Sequence, residues 1–267
     1  MKKDLEKFKT WLKLQDYANG TIKKYITSIQ YFLKKYRIED ITEDIVNDFI
    51  LKIKENHITS ANTNISALKA FFKFLKLDIP VPKFFKKPKK LPNYITLKYL
   101  ENNIIPSVEV TFPNKALKIK TIIYILFYTG MRKGELCGLK RQDFNLEKRT
   151  LKLYAKKTGE EKIRYYPEKV RELLQAYFVI EPELYNAFNL KKETMANIFR
   201  KLNKYNTFKP KLHCHLFRHS YAVHLLKNKI PLNIVQKLLG HKSLNNTIIY
   251  ADLVDDDVKD LYNNNIK

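Results

Sequence analysis

Cysteine is nearly absent from the chain: Cys137 and Cys214 are the only two among 267 residues. So few exclude a disulfide framework and fit a reducing compartment. Acidic side chains are scarce beside basic ones, 27 against 51, which leaves a formal charge of +24. There is no long apolar run. The longest, near residues 121–129, is too short and too mixed to span a bilayer. The N-terminus, Met1-Lys2-Lys3-Asp4, lacks the apolar core of a secretory signal. The expectation is a soluble cytoplasmic protein with no membrane partner. Metal-ligand spacing is missing too. His213, Cys214 and His215 stand together, but no second pair completes a zinc site. Asp255, Asp256 and Asp257 read as dipole partners in the first turn of a terminal helix rather than as a magnesium site. No internal repeat is visible.

What is present supports a folded, nucleic-acid-facing protein. Hydrophobic residues make up 45% and aromatics 13%, enough to bury a core in one large domain or two modest ones. The positive charge is spread along the chain. Residues 1–90 carry 20 basic and 10 acidic side chains, and residues 91–267 carry 31 and 17. General lysine enrichment would give a similar total, but a polyanion contacted by the whole molecule fits the distribution, and nucleic acid is the usual one.

Helical periodicity organises the first 77 residues. Leu5, Phe8, Trp11 and Leu12 form one stripe. Ile22, Tyr25, Ile29, Phe32 and Leu33 form a second, after a break at Asn19-Gly20, with Thr21 as the expected cap. Thr42 is expected to cap a third helix carrying Ile45, Phe49 and Ile53, and Ser60 a fourth carrying Ile65, Leu68 and Phe72. Residues 78–92 mix Pro80, Pro82, Pro88 and Pro92 with five lysines, which predicts an extended basic linker. Residues 93–267 form a larger, mainly helical domain with one β-hairpin, whose arms are Thr150–Tyr154 and Lys162–Tyr166. Tyr165, Tyr166 and Tyr221 read as packing residues, and His219 and His224 as structural.

Three segments carry chemistry: TGMRKGEL at 129–136, HLFRH at 215–219, and LLGHKSLNNTIIY at 238–250. Cleaving a nucleic-acid strand without a metal requires cations on the phosphate, and arginine supplies planar, paired donors. It also requires a histidine that moves protons near neutral pH, a nucleophile that can leave again, and an acid for the departing alkoxide. A phenol suits the third role. The chain offers Arg132, Arg218, His215, His241, Tyr250 and a hairpin lysine.

These boxes, in this order and at this spacing, closely resemble the tyrosine recombinase (phage integrase) family, over roughly residues 121–252. The N-terminal bundle and basic linker are similar to that family less specifically. The resemblance implies a mainly α fold: a core-binding, SAM-like helical domain at 1–77, the linker at 78–92, and a catalytic domain at 93–267 that together clamp duplex DNA. It makes Tyr250 the covalent nucleophile, with Arg132, His215, Arg218 and His241 as its catalytic partners and Glu135 as the carboxylate that orients an arginine. Lys157 is the implied general acid, and Lys156 is the alternative. Lys229 stands where the family has glycine, so Asn228 is expected to take the left-handed position instead.

The implied reaction is site-specific recombination through a 3′-phosphotyrosyl intermediate and a Holliday junction, with no cofactor, metal or ATP. It would serve dimer resolution or mobile-element integration at the nucleoid. The implied partners are duplex DNA with paired inverted sites and a homotetramer on two sites, or a related recombinase. A helix at 254–262 would dock on a neighbouring protomer. The alternatives are a type IB topoisomerase-like activity and a catalytically silent DNA-binding protein of this fold.

Overall fold

The computed structural model describes residues 2–88, 90–154, 161–182, 185–205, 207–240 and 243–253. The chain divides into two units, Met1–Lys89 and Lys90–Lys267.

The first unit packs α1 (Lys2–Leu14), α2 (Asn19–Leu33), α3 (Glu43–Asn56) and α4 (Ile58–Leu75) around one apolar core. Aromatic rings fill its centre. Phe8 meets Phe71 edge-on at 5.1 Å between centroids, and Phe32 meets Phe49 at 4.8 Å. Thr42 caps α3 by accepting from the Ile45 amide at 3.4 Å. The other two expected caps are not made. Ala18 is already extended (φ −59°, ψ 141°), so α2 starts at Asn19 and Thr21 falls inside its first turn. One extended residue, His57, ends α3 and begins α4, which leaves Ser60 within the helix rather than ahead of it.

Past α4 the described chain has no helix or strand until residue 97. The first part of this segment is held to the unit's own core. Ile79, Val81 and Phe85 pack against it. The Asn62 amide donates to the Phe85 carbonyl and accepts from the Phe85 amide, both at 2.9 Å, as a strand neighbour would.

The second unit is built around α7 (Ala116–Thr129), which packs against α9 (Glu168–Ile180) and α11 (Cys214–Lys227). Residues 119 and 121–127 of α7 are all buried, so it has no polar stripe to show water. A bent stretch precedes it: α5 (Leu97–Tyr99), a π-helical turn (Leu100–Ile104) and α6 (Ile105–Thr111). Between α7 and α9 come α8 (Lys133–Leu136) and an antiparallel sheet of β1 (Phe144–Asn145), β2 (Thr150–Tyr154) and β3 (Glu161–Tyr165), in order β1-β2-β3. The short β1, paired through Phe144 with Leu151, adds a strand to the expected hairpin. Later come α10 (Lys192–Tyr205), α12 (Leu232–Leu239) and α13 (Asn245–Ile248).

Two expectations are corrected here. Tyr165 is 61% exposed and does not pack, because Leu151 and Leu153 fix the inward parity of β2 and the register turns Tyr165 outward. Tyr166 and Tyr221 are buried as expected. At the end of α11, Lys229 itself takes the left-handed conformation (φ 61°), while Asn228 stays at φ −88°. The reason is a Schellman closure: the Ile230 amide donates to Leu225 O at 3.1 Å and the Lys229 amide to Leu226 O at 2.8 Å. That pair of bonds demands left-handed geometry at 229, at a cost of about 1 kcal/mol without glycine.

Gly130, where α7 stops, has φ +57°, and a Cβ there would lie 2.4 Å from Tyr221 Cδ1. Gly130→Ala should therefore destabilise the protein by about 2–4 kcal/mol. Gly20→Ala, in a helix with nothing within 4 Å, should be neutral or stabilising by up to about 1 kcal/mol. Denaturant unfolding of the two variants checks the contrast.

Candidate active site

The site grows from α11. Helical spacing puts His215 and His219 on one face, while Arg218 points into the interior at 3% exposure. The Arg218 guanidinium donates from Nη1 to Gly130 O at 2.8 Å and from Nη2 to Leu239 O at 2.6 Å. It thus ties together the chain just before Arg132 and the chain just before His241. Burial first, then the like charges of Arg132 and Arg164, lower its pKa to about 10, with Glu135 opposing. It remains a cation at neutral pH, with three of its five N–H donors uncommitted to these carbonyls.

Arg132 sits at the start of α8, where Gly130 has turned the chain. Glu135 holds it twice: one carboxylate oxygen accepts from the Arg132 amide at 2.7 Å, the other from Nη1 at 2.9 Å. The carboxylate therefore both caps the helix and orients the guanidinium, which stays accessible at 46% side-chain exposure.

Tyr250 follows α13 and is 2% exposed, packed with Tyr221, Val235 and Leu239. Its hydroxyl lies 2.8 Å from His219 Nδ1. Burial raises the phenol's pKa, and Arg218 pulls it back down. Partial burial, then the charges of Arg218, His213 and Arg132, lower the pKa of His215, although its side chain is exposed overall. His219 is lowered to about 4, by burial first and then by His215, His213 and Arg218. Both histidines are neutral at physiological pH.

The structure thus brings Arg132, Glu135, His215, Arg218 and Tyr250 into one neighbourhood. His241, Lys157 and Lys156 lie outside the described residues, as do residues 254–262 and Asp255, Asp256 and Asp257. Two residues not assigned to the site from sequence join it, and the first reads there as structural. One is His219, on the Tyr250 oxygen. The other is Arg164, 3% exposed on β3, whose Nε has no acceptor among the described residues. A Cβ on Gly240 would come within 3.7 Å of Arg164 Nη2, so this cation lies against the chain leading to His241. Its signal was register: opposite the inward Leu151, Arg164 is buried while its neighbour Ile163 is 49% exposed, the reverse of hydropathy.

Beside the site runs a groove of about 640 Å³ bordered by Lys133, Arg200, Lys204, Lys211, His213 and His215. Its cations suit a phosphate backbone. Among the described residues no group of three His, Cys, Asp or Glu side chains could hold a metal ion. Cys214 is a buried free thiol, pushed up to about 11 mainly by that burial. No helix of the described residues is long and apolar enough to cross a membrane.

Comparison with known proteins points to a family. A profile of the phage integrase family matches residues 101–256, and one of the phage integrase N-terminal SAM-like domain matches residues 5–80. Tyrosine recombinase XerA of Pyrococcus furiosus is 31% identical over 264 residues, spanning 92% of this chain and 88% of that protein. XerA of Pyrococcus horikoshii is 32% identical with the same coverage, 92% and 88%. Among solved structures, XerH bound to palindromic difH substrate in a post-cleavage complex has a similar fold, with TM-score 0.71 at 19% identity, covering 90% of this chain and 78% of that one. A lambda integrase dimer bound to a core site gives 0.70 at 18%, covering 94% of each chain.

The lowered histidines make a stability prediction. A histidine with a depressed folded pKa binds fewer protons folded than unfolded. Its contribution is complete above the unfolded value of about 6.5 and is lost as pH falls toward the folded value. For His219 that loss runs down to about 4. The thermal midpoint should drop between pH 7 and 4.5, and His219→Asn should flatten that drop. Parallel slopes for the two proteins would contradict the assignment.

Proposed function

The chain belongs to the phage integrase family and is a site-specific tyrosine recombinase; from this premise we propose that Tyr250 cleaves duplex DNA within a cluster formed by Arg132, Arg218 and His215, with His241 and Lys157 completing it. The observation that carries this assignment is the Arg218 bridge, which gathers all three sequence boxes around a buried phenol. Arg132 and Arg218 clamp the non-bridging oxygens of the scissile phosphate as charge builds on them. The Tyr250 oxygen forms a bond to phosphorus while the bond to the 5′-oxygen breaks. His215, neutral and accessible, carries the phenolic proton away, and Lys157 protonates the departing 5′-oxygen. The product is a 3′-phosphotyrosyl link and a free 5′-hydroxyl. A 5′-hydroxyl from a partner duplex reverses the step, so the link conserves the phosphodiester without metal or ATP.

Arg218 and Tyr250 are buried while Arg132 and His215 are exposed, so an incoming strand meets Arg132 and His215 first. The basic groove beside His215 supplies a path for the flanking backbone. Paired sites and a cyclic tetramer are the assembly we favour. Their support is that XerH is bound to a palindromic substrate and lambda integrase to its core site as a dimer.

Tyr250→Phe should bind site DNA within about two-fold of wild type, because no basic contact is lost, and should form no covalent adduct on a nicked suicide duplex. A protease-sensitive adduct in that variant rules out Tyr250. Lys157→Ala should slow cleavage of ordinary DNA by about a hundred-fold or more. A substrate with a bridging 5′-sulfur, whose thiolate leaves without a proton, should restore it. Rescue of Lys156→Ala instead would exchange the two lysines' roles.

A further inference from the structure

His219 is in contact with the oxygen that reacts. Resting on the assignment of Tyr250 as nucleophile, we propose that His219 positions that nucleophile: its Nδ1 accepts the hydrogen bond of the Tyr250 hydroxyl and holds the phenolic oxygen beside Arg218.

The geometry is specific. The two atoms are 2.8 Å apart, and the rings lie 5.7 Å apart at 49°. His219 is itself held from behind. His215, one turn earlier on α11, meets it edge-on at 5.7 Å and 86°. The helix beneath is anchored by Leu216 and Phe217, both fully buried. His215, His219 and Tyr250 are therefore consecutive members of one ring array, with the second sequence box at one end and the nucleophile at the other. Apolar packing of Tyr250 fixes the plane of its ring. It does not fix the direction of the O–H bond, which rotates about the C–O axis. An acceptor in a set place supplies that direction, and with it the lone pair left to face phosphorus.

The charge state suits an acceptor. Only a neutral imidazole offers one: imidazolium donates from both nitrogens. The groups that act on His219 are His215 and Arg218 from its own helix, His213 just before that helix, and Tyr250 from the segment after α13. With burial, those cations and potential cations keep His219 uncharged through the physiological range. The same environment makes it a weak base. It orients the hydroxyl without retaining the proton, which leaves proton transfer to His215.

The test uses the full-length protein and a nicked suicide duplex, with binding and single-turnover cleavage read separately. His219→Ala should bind DNA as wild type does and cleave about ten-fold or more slowly, the effect of one lost orienting hydrogen bond in a closed site. His219→Asn, whose short amide can place an oxygen near the Nδ1 position, should recover cleavage to within about three-fold; His219→Gln, which reaches toward the Nε2 position instead, should not. Should the alanine variant fail to fold, the Asn and Gln pair decides by itself. The pH dependence of cleavage should keep its shape in His219→Asn, since His219 does not titrate there. Wild-type cleavage by His219→Ala, equal cleavage by Asn and Gln, or an altered pH profile in His219→Asn would each overturn the proposal. Failure of Tyr250 as nucleophile shows up separately, as an adduct formed by Tyr250→Phe.

Discussion

The second unit depends on one guanidinium. Arg218 crosses from α11 to the end of α7 and to the end of α12, holding carbonyls of Gly130 and Leu239 that are far apart in sequence. Taking a cation out of water costs several kcal/mol. Two charge-assisted hydrogen bonds, each worth about 1.5–3 kcal/mol, offset much of that. Among the described residues, the charges of Arg132 and Arg164 raise that cost and Glu135 opposes them. Burial first, and then nearby positive charge, lowers the pKa of the neighbouring histidines.

Much of this was legible from sequence, because it rests on patterns that local physics enforces. Helical periodicity placed the helices of the first unit. Alternation placed β2 and β3, and the boxes pointed to Arg132, His215, Arg218 and Tyr250, which the described structure brings near one another. What escaped depends on tertiary register. Nothing local says that Arg164 rather than Ile163 faces inward. That follows from Leu151 and Leu153 choosing the parity of the partner strand. His219 reads as structural until the segment after α13 folds back and sets Tyr250 on it. Ser60 looked like a cap because it has the right chemistry, but His57 joins two helices with no residue to spare. Lys229 shows the converse: the closure of α11 imposes a conformation that its side chain disfavours.

The glycines at the helix ends connect packing to chemistry. Gly130 and Gly240 both adopt positive φ, and each precedes a segment carrying a site residue. Tyr221 occupies the room where a Gly130 side chain would go, and Lys162 and Arg164 crowd Gly240. The backbone at both points is therefore fixed from two sides, by a helix that ends and by a neighbour that fills the space. Preorganisation of the arginines starts there, before any side chain of the site is considered.

The Asn62 clamp on Phe85 has a mechanical meaning. It pins the chain to the first unit at residue 85, and the Ser220 hydroxyl pins it to the second by accepting from the Ile95 amide at 2.9 Å. Each unit therefore fastens its own end of the connecting chain, so a pull on the segment between them would be stopped at these bonds before it reached either core.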